Sequence, residues 1–459
     1  MTNFNHLFMA INNKNNFNIL LSVCELGGFG DVVSNLSIME HFNSINLPYQ
    51  VSFDCADSED KLKILIDNEK FRLLKHYKGS PNIITISPVR DKRTEEQIDK
   101  TYVDIQLSEY DKDKIPWTDY SNHHIEIKTG FSFDHDSFGP QAGIYTRKTL
   151  ESILIEVDKN ITHRGGIEEL RKKALISIIK KYPKSKFIDY FCSHEIEKVV
   201  KGGWSIFYPS NLEAYNFLNI ASFARENLDK PLYIFGIGNT NKSNLKYPCL
   251  KRDITYFNLP ERERRLKDEN ISVIELGFIP DFDFMQIVAL TDKLSLVTGD
   301  HSLSQMIQKS QSKLKVPFFY HYPSWKLNCF RAFSELIGKE DHGSMDIFSD
   351  YGKLIEHNTC IENILLSSEI KKIKSKLSKL FYDETLINDY NKSISKIKEN
   401  FINERKEKEI DKADILWSVN ETLLFVVNRI LDGMSCYDAV EPLLEKEEKL
   451  LAKQGRKTK

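Results

Sequence analysis

The chain has 459 residues, which is too long for one small domain and predicts two or three domains. Hydrophobic residues make up 41% of it and include 28 Phe and 19 Tyr, so the chain can bury a large core and is not a wholly disordered protein. The 64 Lys+Arg residues against 66 Asp+Glu residues give a net charge of −2, which excludes a globally basic nucleic-acid binder.

The targeting and cysteine patterns favour a cytoplasmic protein. No apolar run reaches about 18 residues, so we expect no transmembrane helix. The first residues lack the basic and apolar regions of a secretory signal. The cysteines are scattered, odd in number and free of C-x-x-C pairs, which favours reduced thiols and gives no support to a cysteine-based zinc site. They are Cys24, Cys55, Cys192, Cys249, Cys329, Cys360 and Cys436.

The N-terminal part alternates between strand and helix patterns. Residues 17–23 are an apolar run that predicts a strand, and a glycine-rich turn follows as far as Asp31. Apolar residues at helical spacing then continue to Phe42 and predict a helix. Further strands are predicted at residues 49–53 and 82–87. This alternation indicates an α/β domain with a parallel sheet.

The middle of the chain is less regular. Residues 91–143 mix charge with aromatic residues, and their length and Gly/Pro content suggest loops around a site, although a weak strand pattern is an equal explanation. Residues 151–182 have a helical pattern that ends at Pro183. We interpret Lys201-Gly202-Gly203 as a hinge between two halves of the chain.

The α/β alternation is clearer after residue 201. Strands are predicted at residues 205–208, 231–235, 271–276, 294–297 and 316–320, and helices at 212–227, 281–289 and 302–309. Lys- and Glu-rich helices follow from residue 361 to the end. We therefore predict an α/β fold with two Rossmann-like, doubly wound domains facing a cleft, and a helical extension. The predicted boundaries are 1–200, 201–355 and 356–459.

The first candidate site is the turn Gly27-Gly28-Phe29-Gly30-Asp31, between a strand and a helix. Glycines let the backbone approach a ligand closely, and a helix N-terminus offers N–H groups with partial positive charge. The turn is neither G-x-G-x-x-G nor a Walker A loop. Asp31 has two interpretations, which stay open: an N-terminal helix cap, which Asp forms well, or an acid or base in an interdomain cleft.

The second candidate site is the segment of residues 298–305, where a strand again leads through a glycine into a helix. Ser302 and Gln305 have capping-box spacing, which is the simpler explanation of Ser302. In the functional interpretation a diphosphate lies over the helix N-terminus. Asp300 then accepts hydrogen bonds from ribose hydroxyls, because a carboxylate facing a diphosphate is repelled. His301 is either a phosphate donor or simply exposed.

The third candidate is a set of strand ends at Ser210, Gly236 and Gly238. Ligands of open α/β sheets bind outside the carboxyl ends of the strands, so these residues and Asp300 are expected to share one edge. A different group, rich in His and Asp, matches no known zinc spacing and is better explained as a polar loop, so no metal site is predicted. Its members are His123, His124, Asp134, His135 and Asp136.

At these residues the sequence resembles the GT-B glycosyltransferases. The opening GGFGDVVSNLSIMEHF is similar to heptosyltransferase-type starts, and residues 276–324 resemble the donor-site region of the protein-arginine rhamnosyltransferases in order and spacing. That family carries two acidic residues in its first turn, of which Asp31 matches one and Gly27 replaces the other; Asp300 stands where the family has Glu. The matching elements are Phe278-Ile279-Pro280, Asp292, Gly299-Asp300-His301-Ser302 and His321-Tyr322-Pro323.

The resemblance implies an inverting, metal-independent transferase that moves a sugar from a nucleoside-diphosphate sugar, without a bound cofactor. It implies that Asp31 is the general base and that Gly28, Phe29 and Gly30 surround it at the substrate. It further implies that the donor diphosphate lies on the helix near Ser302, with Asp300 on the ribose. Because the net charge is near zero, stabilisation of the leaving diphosphate has to be local, and the candidates are helix N-termini and His301 or Lys326. The remaining implied donor-site residues are Ser210, Gly236, Gly238, Phe278, Ile279 and Tyr322.

The acceptor stays open, with a protein side chain among the candidates. A sugar-nucleotide epimerase or hydrolase of the same fold is an alternative, because its donor site looks alike. A non-enzymatic interaction protein that works through its C-terminal helices is a second alternative. Those helices could also mediate oligomerisation, partner binding or contact with a membrane surface. We expect no nucleic-acid partner and a cytoplasmic location.

Overall fold

A computed structural model describes residues 17–23, 29–66, 68–78, 82–87, 103–108, 123–130, 142–163, 165–181, 193–209, 213–238, 255–256, 271–277, 279–322, 327–356, 368–410 and 416–457. The chain divides into two compact units. The first unit combines residues 1–148 with residues 398–459, and the second comprises residues 149–397. The boundaries predicted at 200/201 and 355/356 stay predictions beside this division by contacts.

The first unit is built on a parallel sheet of five described strands in the order β2-β1-β3-β4-β5. The chain pairs β1 with β2 on one side and then with β3 on the other, which places a topological switch point between β1 and β3. The strands are β1 (Asn18–Val23), β2 (Gln50–Phe53), β3 (Ile83–Ser87), β4 (Val103–Ser108) and β5 (His124–Lys128). The early helices are α1 (Gly30–Ser44), α2 (Ala56–Leu65) and α3 (Asn68–Leu73).

The second unit holds a parallel sheet in the order β11-β10-β6-β7-β9-β8. Its switch point lies between β6 and β10. The strands are β6 (Gly203–Phe207), β7 (Leu232–Ile237), β8 (Thr255–Tyr256), β9 (Ile271–Gly277), β10 (Ser295–Thr298) and β11 (Phe318–His321). The helices up to the end of β11 are α4 (Lys148–Asn160), α5 (Gly166–Lys181), α6 (Ser193–Lys201), α7 (Asn216–Ala224), α8 (Asp281–Leu290) and α9 (Asp300–Lys309).

Helices make up the described chain after β11. They are α10 (Leu327–Gly338), α11 (His342–Glu356), α12 (Ser368–Ser378), α13 (Glu384–Glu407), α14 (Val419–Leu431), α15 (Cys436–Val440) and α16 (Lys446–Lys457). The predicted fold class, α/β with two doubly wound parallel sheets and a helical C-terminal region, is confirmed.

The last helices belong to the core of the first unit. The amide of Val419 donates to the carbonyl of Ile144 at 2.8 Å, and Ile144 pairs with Ser418 as an isolated parallel bridge. The apolar faces of β4 and β5 share one buried cluster with α14, which contributes Leu423 and Val427. Burial of this apolar surface therefore ties the C-terminal segment to the N-terminal sheet.

A buried arginine holds the amino end of the second sheet. The Arg171 guanidinium forms a 2.8 Å ion pair with Asp292, donates to the carbonyls of Gly202 and Leu290 at 2.9 and 3.0 Å, and lies 4.8 Å from the centre of the Trp204 ring. Burial pushes the pKa of Asp292 upward, but the charges on Arg171 and Lys230 outweigh it and hold that pKa below its usual value.

The glycines at 202 and 203 lie in closely packed backbone at the start of β6, and their interpretation as a hinge stays a prediction. Both glycines lie inside the second unit, Gly202 directly before β6 and Gly203 as its first residue. A Cβ at Gly202 would meet the Tyr233 ring within 2.5 Å, and one at Gly203 would come 2.8 Å from the Lys293 side chain. Close packing of the backbone therefore explains these glycines.

Candidate functional site

The carboxyl edge of the second sheet is rimmed by glycines in left-handed conformations. Gly238 follows β7 with φ 82°, Gly277 ends β9 with φ 66°, and Gly299 follows β10 with φ 83°. A Cβ at Gly277 or Gly299 would meet no atom within 4 Å. Backbone conformation, and not lack of space, therefore requires glycine at these two positions. At these glycines the edge of the sheet exposes main-chain groups without a covering side chain.

Helix α9 begins directly after this edge. Gly299 is its N-cap residue, with φ 83° and ψ 155°, and accepts the Leu303 amide at 3.0 Å. A glycine has no side chain with which to cap, and no side-chain capping bond is formed. Ser302 is the third residue of the helix, so its interpretation as the cap of a capping box with Gln305 is wrong. The helix starts two residues earlier than predicted because Gly299 supplies the turn.

Asp300 is the first residue of α9, and its carboxylate is held by a neighbouring strand. The Tyr320 hydroxyl donates to Asp300 Oδ1 at 2.9 Å. Tyr320 lies on β11 and pairs in register with Val297 of β10, so sheet geometry brings its ring beside the start of α9. The ring is fully buried, whereas Asp300 is half-buried. The carboxylate is therefore fixed by a rigid donor at the sheet edge.

The two strands that flank the switch point are tied together at their ends. Thr298 Oγ1 donates to the carbonyl of Tyr208 at 2.6 Å, and the Tyr208 amide donates to the carbonyl of Leu296 at 3.0 Å. The Tyr208 ring packs against Phe284 of α8 with a centroid distance of 6.1 Å. Burial raises the pKa of the Tyr208 hydroxyl. These bonds fix the geometry of the crevice in which ligands of doubly wound sheets bind.

Several predicted donor residues reach this edge with different exposure. Gly236 and Gly238 lie at the end of β7, where the register shifts between Gly236 and Ile237. His301 and Ile279 are each 8% exposed, so His301 is not the exposed side chain that one interpretation expected. Ser302 is also buried. Ser210, Phe278 and Lys326 lie outside the described residues.

Tyr322 belongs to an aromatic cluster. Its ring is 2% exposed and lies 4.1 Å from the Phe330 ring, which in turn stacks on Phe348 at 4.6 Å. The preceding residue, His321, is fully buried and faces the Tyr351 hydroxyl at 3.3 Å; burial lowers the pKa of His321 to about 4. These contacts bury Tyr322 in the aromatic cluster, and its place in the donor site stays a prediction.

The corresponding edge of the first sheet carries Asp31. Helix α1 begins at Gly30, its N-cap residue is Phe29 without a side-chain cap bond, and Asp31 is the second helical residue. The interpretation of Asp31 as the cap is therefore wrong. The side chain of Asn35 donates to the Asp31 carbonyl at 3.2 Å, which steadies the first turn. Gly28 lies outside the described residues.

Asp31 and Asp300 both lie beside a switch point, although the strands that precede them are not equivalent in the two topologies. Each lies in the first turn of the helix that follows a switch-point strand, β1 in the first sheet and β10 in the second. Sequence reasoning found both carboxylates and the segment that begins at Thr298, but it missed Tyr320 and Tyr208. Tyr320 ends a predicted apolar strand, and only the strand register reveals that it faces Asp300.

The described part of the chain offers neither a metal-binding cluster nor a membrane-spanning helix. No group of three or more His, Cys, Asp or Glu side chains there could hold a metal ion. His124 instead lies 3.2 Å from Asp104, and residues 134–136 lie outside the described residues. The described cysteines Cys55, Cys329 and Cys436 are free thiols. None of the described helices combines the length and apolar character that crossing a membrane requires.

No protein-family model matches the chain, and no curated protein matches it. The solved structures that are similar to the chain include the following two, both at low identity. MurG of Acinetobacter baumannii is 11% identical, with 82% of this chain and 99% of that chain covered and a TM-score of 0.34. A glycosyltransferase from Rickettsia africae ESF-5 is 12% identical, with 85% and 99% covered and a TM-score of 0.36. At these scores we base no functional statement on either similarity.

Proposed function

We propose that the protein is a GT-B-type glycosyltransferase that uses a nucleoside-diphosphate sugar as its donor. One observation carries the proposal: the Asp300 carboxylate, oriented by the Tyr320 hydroxyl, stands at the start of α9 on a glycine-rimmed edge at the switch point of the second sheet. A fixed carboxylate beside a helix N-terminus suits a ligand with both hydroxyl donors and negative charge. A ribonucleoside diphosphate has both.

The donor binds with its diphosphate over the N-terminus of α9. Backbone N–H groups and the helix dipole favour negative charge at this place. The glycines at 238, 277 and 299 let phosphates approach the main chain without meeting side chains. Asp300 faces the ribose, because its charge would repel the phosphates. The base lies against the backbone near Phe278 and Ile279.

The transfer is a single displacement with inversion. An acceptor oxygen or nitrogen attacks the anomeric carbon, the bond from that carbon to the diphosphate oxygen breaks, and the leaving diphosphate keeps the bonding pair. Asp31 accepts the acceptor's proton as general base. The N-terminus of α9 and His301 stabilise the charge on the leaving group, so the step needs no metal. The acceptor class extends to protein side chains, and we propose a cytoplasmic location from the sequence.

The donor proposal is tested by a thermal-shift screen of the full chain against UDP, GDP, dTDP, ADP and CMP and their sugars. A ligand at about 100 times its dissociation constant stabilises the protein by about 2.7 kcal/mol, which is measurable. Asp300→Asn is expected to remove the shift at the same concentration. Asp341→Asn is the matched control, because Asp341 caps α11 through the Ser344 amide at 2.8 Å and Asn caps equally well.

The catalytic proposal is tested with Asp31→Asn and the donor that the screen identifies. Slow transfer to water is assayed as release of the nucleoside diphosphate. We expect the variant to keep the donor affinity and to lose about 100-fold or more in rate, since general base catalysis contributes about 10²–10⁴-fold. Wild-type turnover by Asp31→Asn would remove Asp31 from the mechanism, and absence of any donor binding by the wild type would contradict the proposed function as a whole.

A further inference from the structure

Tyr320 is a fully buried residue whose only polar side-chain atom bonds to the candidate ribose-binding residue. Its hydroxyl reaches Asp300 Oδ1 at 2.9 Å. The bond joins the end of β11 to the first residue of α9, and residues 301–319 separate the two partners in sequence. A bond of this length to a carboxylate is a strong, charge-assisted hydrogen bond.

The Tyr320 ring has little freedom to move. It is held by the parallel pairing of β11 with β10, in which Val297 lies opposite Tyr320 and Thr298 lies opposite His321. It also lies 6.4 Å from the Tyr322 ring, at the margin of the aromatic cluster on α10 and α11. A tyrosine has few side-chain torsions, so a packed ring presents its hydroxyl at one fixed place.

Asp300 by itself has a competing conformation. A carboxylate in the first turn of a helix is attracted to the N–H groups of that turn. Gly299 supplies no cap that would occupy these groups. If Asp300 turned toward them, it would place negative charge where the diphosphate is proposed to bind and would leave the ribose. The Tyr320 hydroxyl opposes this turn, because it holds Asp300 Oδ1 by a hydrogen bond of 2.9 Å.

We propose that Tyr320 is a positioning residue: its hydroxyl holds the Asp300 carboxylate toward the ribose hydroxyls and away from the diphosphate, and thereby makes the site selective for ribonucleoside over 2′-deoxyribonucleoside diphosphates. The proposal rests on the proposed function of the same site. It concerns the sugar of the nucleotide and is independent of the transferred sugar and the acceptor.

The affinity ratio between ribonucleotides and their 2′-deoxy counterparts should therefore depend on the Tyr320 hydroxyl group. A hydrogen bond from a ribose hydroxyl to a carboxylate contributes about tenfold or more in affinity, because bonds to charged groups exceed the neutral average. We therefore expect the wild type to bind ribonucleotides at least about tenfold more tightly than their 2′-deoxy counterparts. In Tyr320→Phe, which keeps the ring and loses the hydroxyl, we expect the ratio to fall to about threefold or less.

The experiment is calorimetric titration of the full chain with UDP, GDP and ADP and with dUDP, dGDP and dADP. The variants are Tyr320→Phe, Asp300→Asn and the matched control Tyr390→Phe. Tyr390 is also fully buried, and its hydroxyl donates at 3.0 Å to the carbonyl of Phe318, which lies on the same strand as Tyr320. Tyr390→Phe therefore tests whether the loss of any buried tyrosine hydroxyl that contacts β11 lowers the ribo-to-deoxy affinity ratio.

The proposal is supported when Tyr320→Phe lowers the ribo-to-deoxy ratio toward that of Asp300→Asn while Tyr390→Phe keeps the wild-type ratio. It is overturned when Tyr320→Phe weakens both nucleotide series equally, which is the signature of a purely structural role. It is also overturned when the ratio is lost in Asp300→Asn but unchanged in Tyr320→Phe; the proposed function survives that outcome. Failure of every nucleoside diphosphate to bind the wild type overturns both.

Discussion

Replacement of Gly299 by alanine perturbs the candidate site through the backbone alone. The residue has φ 83° and ψ 155°, a combination that essentially only glycine adopts. A Cβ there would meet no atom within 4 Å, so the substitution causes no steric clash. Relaxing φ would move the Gly299 carbonyl, which accepts the Leu303 amide at 3.0 Å and starts α9. Gly299→Ala therefore either keeps the strained backbone conformation or loses the first hydrogen bond of α9, and both outcomes destabilise the native state.

The expected magnitude follows from these facts. Backbone strain of this kind costs of order 1–3 kcal/mol. Alanine also restricts the unfolded chain, which offsets about 0.4–1 kcal/mol of the cost. We expect a net destabilisation of about 1–2 kcal/mol. The second unit spans residues 149–397, and in a domain of this size each kcal/mol lowers Tm by about 2–4 °C. The transition of that unit should shift downward by about 2–8 °C.

The assay is differential scanning calorimetry of the full chain, with Gly30→Ala as the matched control. Gly30 also starts a helix after a switch-point strand and has the same open space around its Cβ, but it is not among the glycines with positive φ. Its replacement should be neutral or stabilise by up to about 1 kcal/mol. Equal stability of Gly299→Ala and the wild type would refute the reasoning, as would equal loss in both variants.

Two further predictions concern stability. Arg171→Met should cost about 3–5 kcal/mol in urea unfolding, because it leaves the buried part of Asp292 without its closest cation. Lys172→Met breaks a half-exposed ion pair with Glu197 and should lower the free energy of unfolding much less than Arg171→Met does; equal losses in the two variants would contradict the stabilising role of the buried Arg171–Asp292 pair. Burial lowers the pKa of His41 and of His321 from 6.5 to about 4, so the unfolded chain binds these protons first and stability falls as pH drops from 6.5 toward 4. Each histidine should lower the free energy of unfolding by about 2 kcal/mol at pH 5 relative to pH 8. His41→Gln should therefore reduce the change of the urea midpoint of the first unit between pH 5 and pH 8. A pH dependence equal to that of the wild type would contradict the low pKa of His41.

Most strands of the two sheets could be predicted, because apolar runs bounded by glycine or proline are a local signal. Strands β4 and β5 were not recognised. They alternate strictly, with Asp104 and Gln106 on one face of β4 and His124 and Glu126 on one face of β5, while the other face is apolar. Parallel strands are expected to be apolar on both faces, so these two were interpreted as part of an irregular segment.

The packing of the C-terminal helices could not be predicted from periodicity. The pattern of residues 419–431 shows an apolar helix but does not say which sheet it covers. The structure shows that this helix packs on β5 of the first sheet and on α1, both more than 290 residues earlier in the chain. The contact with α1 includes the hydrogen bond from Asn420 Nδ2 to Ser37 Oγ at 2.8 Å, across a separation of 383 residues. Which sheet a helix packs against depends on how well the folded surfaces of the helix and the sheet fit together, which the helical period does not encode.

The candidate site was predicted in part for a similar reason. A strand that ends in glycine before a helix is a local feature, and it led to Asp31 and Asp300. The pairing of Tyr320 with Asp300 depends on the order and register of β10 and β11, which sequence spacing does not give. The capping interpretations of Asp31 and Ser302 were wrong because both helices begin one or two residues earlier than the side-chain pattern indicated.

The most direct test of the central claim is hydrogen–deuterium exchange of the full chain with and without saturating UDP, GDP or ADP, whichever binds. The account predicts slower exchange in peptides that cover residues 298–303, at the start of α9, and in those that end β7. Asp300→Asn at the same ligand concentration should lose this protection. Bound nucleotide that protects only peptides of the first unit, or leaves residues 298–303 unchanged, would contradict the account.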